Sequence, residues 1–212
     1  MSMNKARLLL RAAGILAPAA CLLMITAGSS GAATAPPTPG PAGPLVAGTM
    51  QPLLAYKQCV SGGPDAHDNH VAHVLNGIRS PRLDAPSGYQ ISCAAAIVAE
   101  VKHDKLTERA GVIAVTTAIT ESSLHDYTQA DNGTSLGLFQ QQTSEGWGTP
   151  AQVEDPAHST NSFLSVMKQF YPDNRWEKGD IGDICQAVQR SGDPGAYDPE
   201  VDAATKIVGQ LW

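Results

Sequence analysis

The run AGVIAVTTAIT, from Ala110 to Thr120, sets eleven residues in succession without a formal charge. Thr107 can cap a helix ahead of it, and Glu108 falls in the first turn, where the helix dipole favours a carboxylate. A helix that is apolar on every side offers no face to water and belongs at the centre of a packed body. The remaining elements must then surround it, which predicts a mainly helical fold.

Other segments carry the signals of surrounding helices. Ser92 to Asp104 places Ala94, Ile97, Val98 and Val101 at the i, i+3, i+4, i+7 spacing of one buried stripe. Asp155-Pro156 and Asp198-Pro199 each pair a capping aspartate with a first-position proline, and Val201, Ala204, Val208 and Leu211 share a face of the last helix. Asp180 opens a short helix packed through Ile184, Ala187 and Val188, with Gly192 to close it. From Asn132 to Gly148 glycines and turn formers dominate, so a minor β or loop element is expected after the buried helix. Leu53 to Gly88 is dense in turn formers, with a short helix from about Asn69 to Leu75 and otherwise irregular structure. No internal repeat is visible.

The N-terminus reads as a leader. Lys5, Arg7 and Arg11 precede an uncharged, Ala- and Gly-rich run too short for a convincing membrane span, and small residues around Ala32 and Ala33 suit a signal peptidase. The expected organisation is a signal peptide over 1–32, a Pro/Ala-rich linker over 33–56, an irregular segment over 57–90 and a helical domain over 91–212. Acidic residues outnumber basic ones, 20 to 14, and the leader holds three of the basic ones. Nucleic acid is therefore an unsuitable partner, and a secreted chain without stable membrane insertion is expected. Export also allows a disulfide among Cys59, Cys93 and Cys185. Three pairings are open; Cys59 with Cys93 would staple the turn-rich segment to the first good helix and leave Cys185 as a small buried hydrophobe.

The uncharged helix ends in Glu121, which puts a carboxylate where burial and the negative end of the helix dipole both oppose ionisation. Both raise its proton affinity towards the range of a general acid, the group a glycosidase needs. Taken alone, such a glutamate is more often an ordinary solvated helix end. The residues that follow change the balance.

Glu121-Ser122 is followed by Ser135-Leu136-Gly137-Leu138-Phe139-Gln140-Gln141, then Gly146-Trp147-Gly148-Thr149-Pro150 and Ala187-Val188-Gln189-Arg190-Ser191. In order and spacing these resemble the soluble lytic transglycosylase branch of the lysozyme-like fold, and more closely a group of secreted actinobacterial lysozyme-like domains. The resemblance runs from Ser92 to the C-terminus. It implies an α+β lysozyme-like domain that cleaves the β-1,4 bond between N-acetylmuramic acid and N-acetylglucosamine in peptidoglycan, with Glu121 protonating the leaving oxygen. In that branch the same residue then serves as base, and the muramyl 6-hydroxyl attacks within the sugar to leave a 1,6-anhydro end. One carboxylate suffices there, because the internal hydroxyl replaces the water that a hydrolase activates with a second carboxylate.

The resemblance assigns Ser122 to support the acid and Gln140 to contact sugars; Gln141, the rings of Phe139 and Trp147, and Tyr197 are further candidates for substrate contact. It departs from the family at Val188, where the transglycosylase branch has a tyrosine that approaches the acid; Tyr197 could bring a phenol from further along. A muramidase-type hydrolase remains open, with Asp126 or Asp131 as the second carboxylate and Asp131 the preferred one, as does a non-catalytic peptidoglycan-binding protein. The expected partner is the peptidoglycan glycan strand, the expected location is extracellular and cell-wall associated, and a monomer without cofactor is expected. His67, His70 and His73, interleaved with Asp65 and Asp68, match no zinc-ligand spacing and read as a solvated polar segment.

Overall fold

The structure is a computed structural model that describes residues 55–129 and 134–212. The expected leader, the linker as far as residue 54, and Asp131 lie outside the described residues. Strand β1 (Tyr56–Lys57) and helix α1 (Ala66–Val74) come first, followed by α2 (Gly88–His103) and α3 (Glu108–Ser122). Three short strands follow, β2 (Asp126–Tyr127), β3 (Ser135–Leu136) and β4 (Gln141–Gln142). The chain then returns to helix in α4 (Pro150–Val153), α5 (Pro156–Phe170), α6 (Ile181–Gln189) and α7 (Val201–Leu211). The fold is thus mainly helical with a small antiparallel β element.

Helix α3 is the centre. Twelve of its fifteen residues are buried, so the uncharged run meets protein on every side. Helices α2, α5, α6 and α7 pack around it. Its threonines fit this setting because they bond their own helix: Thr117 Oγ1 donates to Ile113 O at 2.9 Å and Thr120 Oγ1 to Thr116 O at 2.9 Å. Gly111 permits the close approach of α7, since a Cβ there would stand 3.3 Å from Val208 Cγ1.

Capping residues set several boundaries earlier than periodicity does. Helix α1 starts at Ala66, ahead of the expected Asn69, because Asp65 and Asp68 form a reciprocal capping box. Helix α2 starts at Gly88 rather than Ser92 for the same reason, with Ser87 and Gln90 as the box. Helix α6 ends in a left-handed Arg190 (φ 57°), two residues before the glycine expected to close it. Asp198-Pro199 begins a one-turn 3-10 helix, Asp198–Glu200, that leads into α7. The turn-like Thr149-Pro150 opens the short α4 through a Thr149–Gln152 box.

The segment 57–90 is more integrated than its composition implies. Strand β1 pairs antiparallel with β2, Tyr56 opposite Tyr127 and Lys57 opposite Asp126. Strands β3 and β4 form a second antiparallel pair, and a bridge between Tyr127 and Gly137 links the two. Helix α1 packs on α2, and a Cys59–Cys93 disulfide joins the segment to α2, leaving Cys185 as a free, buried thiol. Val71, Leu75, Ile78 and Leu83 all enter the core. Among the described residues no helix is long and apolar enough to cross a membrane.

Candidate active site

Glu121 lies in the last turn of α3, and the chain just past it is held tightly. Ser123 and Leu124 both take left-handed conformations (φ 52° and 59°), which turn the backbone away from the helix axis. The Gln90 side-chain amide donates to Ser123 O at 2.9 Å. Ser122 is buried, its Oγ 2.7 Å from Leu138 O and 3.0 Å from Ala118 O, so its hydroxyl fastens the helix end to the loop that follows β3. That loop depends on Gly137 (φ 72°): a Cβ there would meet Val153 O at 2.0 Å.

The Glu121 carboxyl is half-buried and accepts a hydrogen bond of 2.5 Å from Tyr197 Oη. Burial is the main influence on its proton affinity and pushes the pKa above the ordinary carboxylate value. The Tyr197 phenol, the Gln189 amide and the Arg82 guanidinium each favour the ionised form and offset part of that rise. The Tyr197 phenol is driven above its usual range by its own burial and by the neighbouring Glu121 charge, so it stays a donor at any ordinary pH. The resulting carboxyl is held above the ordinary carboxylate range, and its conjugate base has a donor waiting.

Tyr197 is itself anchored. Glu200, in the same turn, donates its backbone N–H to Tyr197 O at 3.0 Å. The Glu200 carboxylate is fully buried, accepts from the Ser80 hydroxyl, and takes the Arg82 backbone N–H at 3.0 Å. One buried carboxylate therefore ties the 80–82 loop, whose Arg82 acts electrostatically on Glu121, to the turn that presents the phenol.

Glu121 opens into a polar cavity of about 250 Å³, whose wall includes Gln140, Gln141, Glu145, Trp147, Gln189 and Arg190. Gln142, Glu145, Trp147, Gln189 and Arg190 are shared with an adjoining cavity of about 530 Å³, so the two are lobes of one cleft. Two of the wall residues, Gln140 (φ 48°) and Arg190 (φ 57°), hold left-handed backbone without being glycine, a form of local strain that clusters at functional sites. Gln140 Nε2 donates to Gly137 O at 2.9 Å, and Gln189 Nε2 to Phe139 O at 2.7 Å.

The cleft thus gathers Glu121, Gln140, Gln141 and Trp147 from the residues singled out in the sequence. Gln141 is otherwise buried and donates to Ser159 O at 3.2 Å, with its Oε1 unpartnered. Phe139 is fully buried and stacks on Phe163 at 5.2 Å between centroids, in the core and away from the cleft. Ser122 and Tyr197 are also buried and reach the cleft through what they hold. Glu145, Gln142, Gln189, Arg190 and Arg82 escaped sequence reasoning as site residues. Gln189 and Arg190 lay inside a quoted motif and could have been taken from it, whereas nothing local marks Arg82 or Glu145.

Asp126, weighed as a second carboxylate, is not in the cleft wall. It is fully buried in β2 opposite Lys57, and neither carboxyl oxygen has a hydrogen-bond partner. Burial pushes it up to about 7, with Lys57 pulling down and Glu154 and Asp155 adding to the rise. The three histidines fall on or beside the exposed side of α1, and among the described residues no group of three or more His, Cys, Asp or Glu could hold a metal ion.

No family model matches the chain, and no curated protein matches it.

Proposed function

We propose that the chain is a secreted, cell-wall-associated enzyme with a lysozyme-like fold that cleaves the β-1,4 bond between N-acetylmuramic acid and N-acetylglucosamine, in the manner of a lytic transglycosylase. The observation that carries this reading is the Glu121 carboxyl, its pKa raised by burial, which opens into a polar cleft and is hydrogen-bonded to a phenol. Glu121 gives its proton to the leaving oxygen; its carboxylate, stabilised by the Tyr197 hydroxyl, then takes the proton of the muramyl 6-hydroxyl as that oxygen closes the anhydro ring. Tyr197 thereby fills, from a different place in the chain, the role left open by Val188, whose side chain is buried in the core. The amides of Gln140, Gln141 and Gln189 offer paired donors and acceptors to hydroxyl and N-acetyl groups, and Trp147 offers a ring face.

Glu145 favours a second reading. It shares the cavity wall with Glu121 and is a candidate base for activating water, which would make the enzyme a hydrolase.

Mass spectrometry of the soluble products from purified peptidoglycan separates these readings. Anhydro-ended fragments released by the parent chain, with a loss of roughly 100-fold or more in Glu121→Gln, are the expected result. Reducing ends that vanish in Glu145→Gln would establish the hydrolase. Undiminished release by Glu121→Gln would sink both, and binding without release would leave a glycan-binding protein.

A further inference from the structure

Glu200 lines neither lobe of the cleft, yet it is fully buried and joins two segments that act on Glu121. The first is a tight hairpin over residues 78–85, with a bridge between Arg79 and Asp84 and backbone bonds between Ser80 and Leu83 at 2.8 and 3.4 Å. Pro81 takes the turn position that suits its fixed φ, which leaves Arg82 exposed at the tip. The second is the one-turn 3-10 helix Asp198–Glu200, whose Glu200 N–H donates to Tyr197 O at 3.0 Å. One carboxylate oxygen of Glu200 accepts the Ser80 hydroxyl, and the other accepts the Arg82 backbone N–H at 3.0 Å. Both oxygens are therefore committed to the hairpin, three residues on from the phenol that bonds Glu121 at 2.5 Å.

Among the described residues no Lys, Arg or His pairs with Glu200. A buried carboxylate held by hydrogen bonds alone is a costly fastening. Ile78 and Leu83 already anchor the hairpin in the core, and another apolar side chain would add to that hold without the cost. Apolar packing could not, however, set the Arg82 backbone at a fixed distance from the Tyr197 turn, because only directional bonds do so.

We propose that Glu200 is a positioning residue for the acid, locking the Arg82 hairpin to the Tyr197 turn so that guanidinium and phenol keep their places about Glu121. The inference rests on the reading of Glu121 as the general acid. Other titratable or charged groups around Glu121 are Cys185 on α6 and, in the cleft wall, Glu145 and Arg190; none of these bonds Glu200. The sign of the effect separates positioning from charge. Removing a nearby negative charge would by itself make Glu121 easier to ionise. Releasing Tyr197 and Arg82, both of which favour the carboxylate, makes it harder.

A carbon-13 NMR titration of the Glu121 carboxyl, its resonance assigned by its loss in Glu121→Gln, reads this without substrate. Glu200→Ala should raise the Glu121 pKa. Glu200→Gln should stay near the parent, since its amide can accept the Arg82 N–H and donate to Ser80 while that hydroxyl turns to Leu83 O. Arg82→Gln should raise the pKa in the parent and by less in Glu200→Ala. On soluble peptidoglycan fragments Glu200→Ala should lose roughly tenfold in kcat with KM nearly unchanged, and its alkaline limb should move to higher pH. Should circular dichroism show Glu200→Ala unfolded, Ser80→Ala, which removes one of the two bonds and no charge, should move the pKa the same way. A fall of the Glu121 pKa in both Glu200 variants would make charge the active feature, and no shift would make Glu200 purely structural; either overturns the inference. An Arg82→Gln shift of equal size on both backgrounds overturns it too. Absence of cleavage by the parent chain sinks the catalytic reading, whereas the titration still decides whether Glu200 holds the groups around Glu121.

Discussion

A carboxyl that must give up a proton and then take one back needs a pKa that the protein has moved, and the residues around Glu121 move it in opposing directions. Removing the Tyr197 hydroxyl takes away a donor that favours the carboxylate, so the Glu121 pKa should rise further. If the protonated form starts the reaction, the alkaline fall of kcat/KM in Tyr197→Phe should shift to higher pH while the rate itself drops, because the carboxylate formed during cleavage loses its partner. A pH-rate profile on soluble peptidoglycan fragments reads both effects, and a merely structural tyrosine would lower the rate without moving the limb. The same displacement has a sign for stability. A carboxyl whose folded pKa lies above its unfolded value contributes fully at low pH and loses that contribution as pH rises through the folded value. Glu121→Gln should therefore melt at a higher temperature than the parent at pH 8 and at nearly the same temperature at pH 4. At this scale the half-buried carboxyl at the end of α3 was legible from eleven uncharged residues ending in a glutamate. Its phenol was only suspected, since Tyr197 lies 76 residues away and no local pattern announces the contact. Arg82 and the Glu200 grip were invisible for the same reason, since no local pattern marks either and the grip joins residues about 120 positions apart.

The starts of α3 and α5 were read correctly at Thr107 and Asp155; Asp155 caps its helix, whereas Thr107 holds the N-cap position but its hydroxyl donates to Glu177 instead. Strands of two residues leave no periodicity to read, so β3 and β4 were legible only as part of a non-helical stretch, and β1 and β2 not at all. The β1–β2 pair carries a liability of its own: Asp126 is fully buried with both carboxyl oxygens unpartnered, a state in which the neutral acid is far less costly than the anion. With its pKa raised to about 7 by burial, its stabilising contribution is complete below the ordinary carboxylate range and is lost as pH climbs towards 7. Asp126→Asn keeps the shape and removes the charge. It should be more stable than the parent at pH 8 by on the order of 2 kcal/mol, with the difference vanishing near pH 4, as chemical denaturation at the two pH values would report. A parent chain whose stability is flat between pH 4 and 8 would mean that Lys57 neutralises Asp126 despite the absence of a direct bond.

On the scale of the whole molecule, the residues before α2 form a strap around the helical body, although their composition had set them apart as an irregular preface. The strap is fastened at three places: the β1–β2 pairing, the Cys59–Cys93 disulfide, and the Glu200 carboxylate that holds Ser80 and the Arg82 backbone. Between these it places Val71, Leu75, Ile78 and Leu83 in the core, each 8% exposed or less. At about 1.5–3 kcal/mol for each large apolar side chain buried, that contribution is comparable to the whole net stability of an ordinary domain, about 5–15 kcal/mol. Loss of the disulfide, which closes a loop between residues 34 positions apart, subtracts roughly a further 2–4 kcal/mol. A chain beginning at Ser87, which keeps the α2 cap and every residue lining the cleft, should therefore fail to fold cooperatively. Far-ultraviolet circular dichroism would show residual helix, but thermal melting would be broad, and a hydrophobic dye would bind where the uncovered face of α2 is exposed. The chain beginning at Met50 should melt sharply and bind little dye. A sharp transition in the shorter chain would mean that α2 to α7 form a self-sufficient body and that the strap serves the cleft alone, through Arg82 and the turn that carries Tyr197.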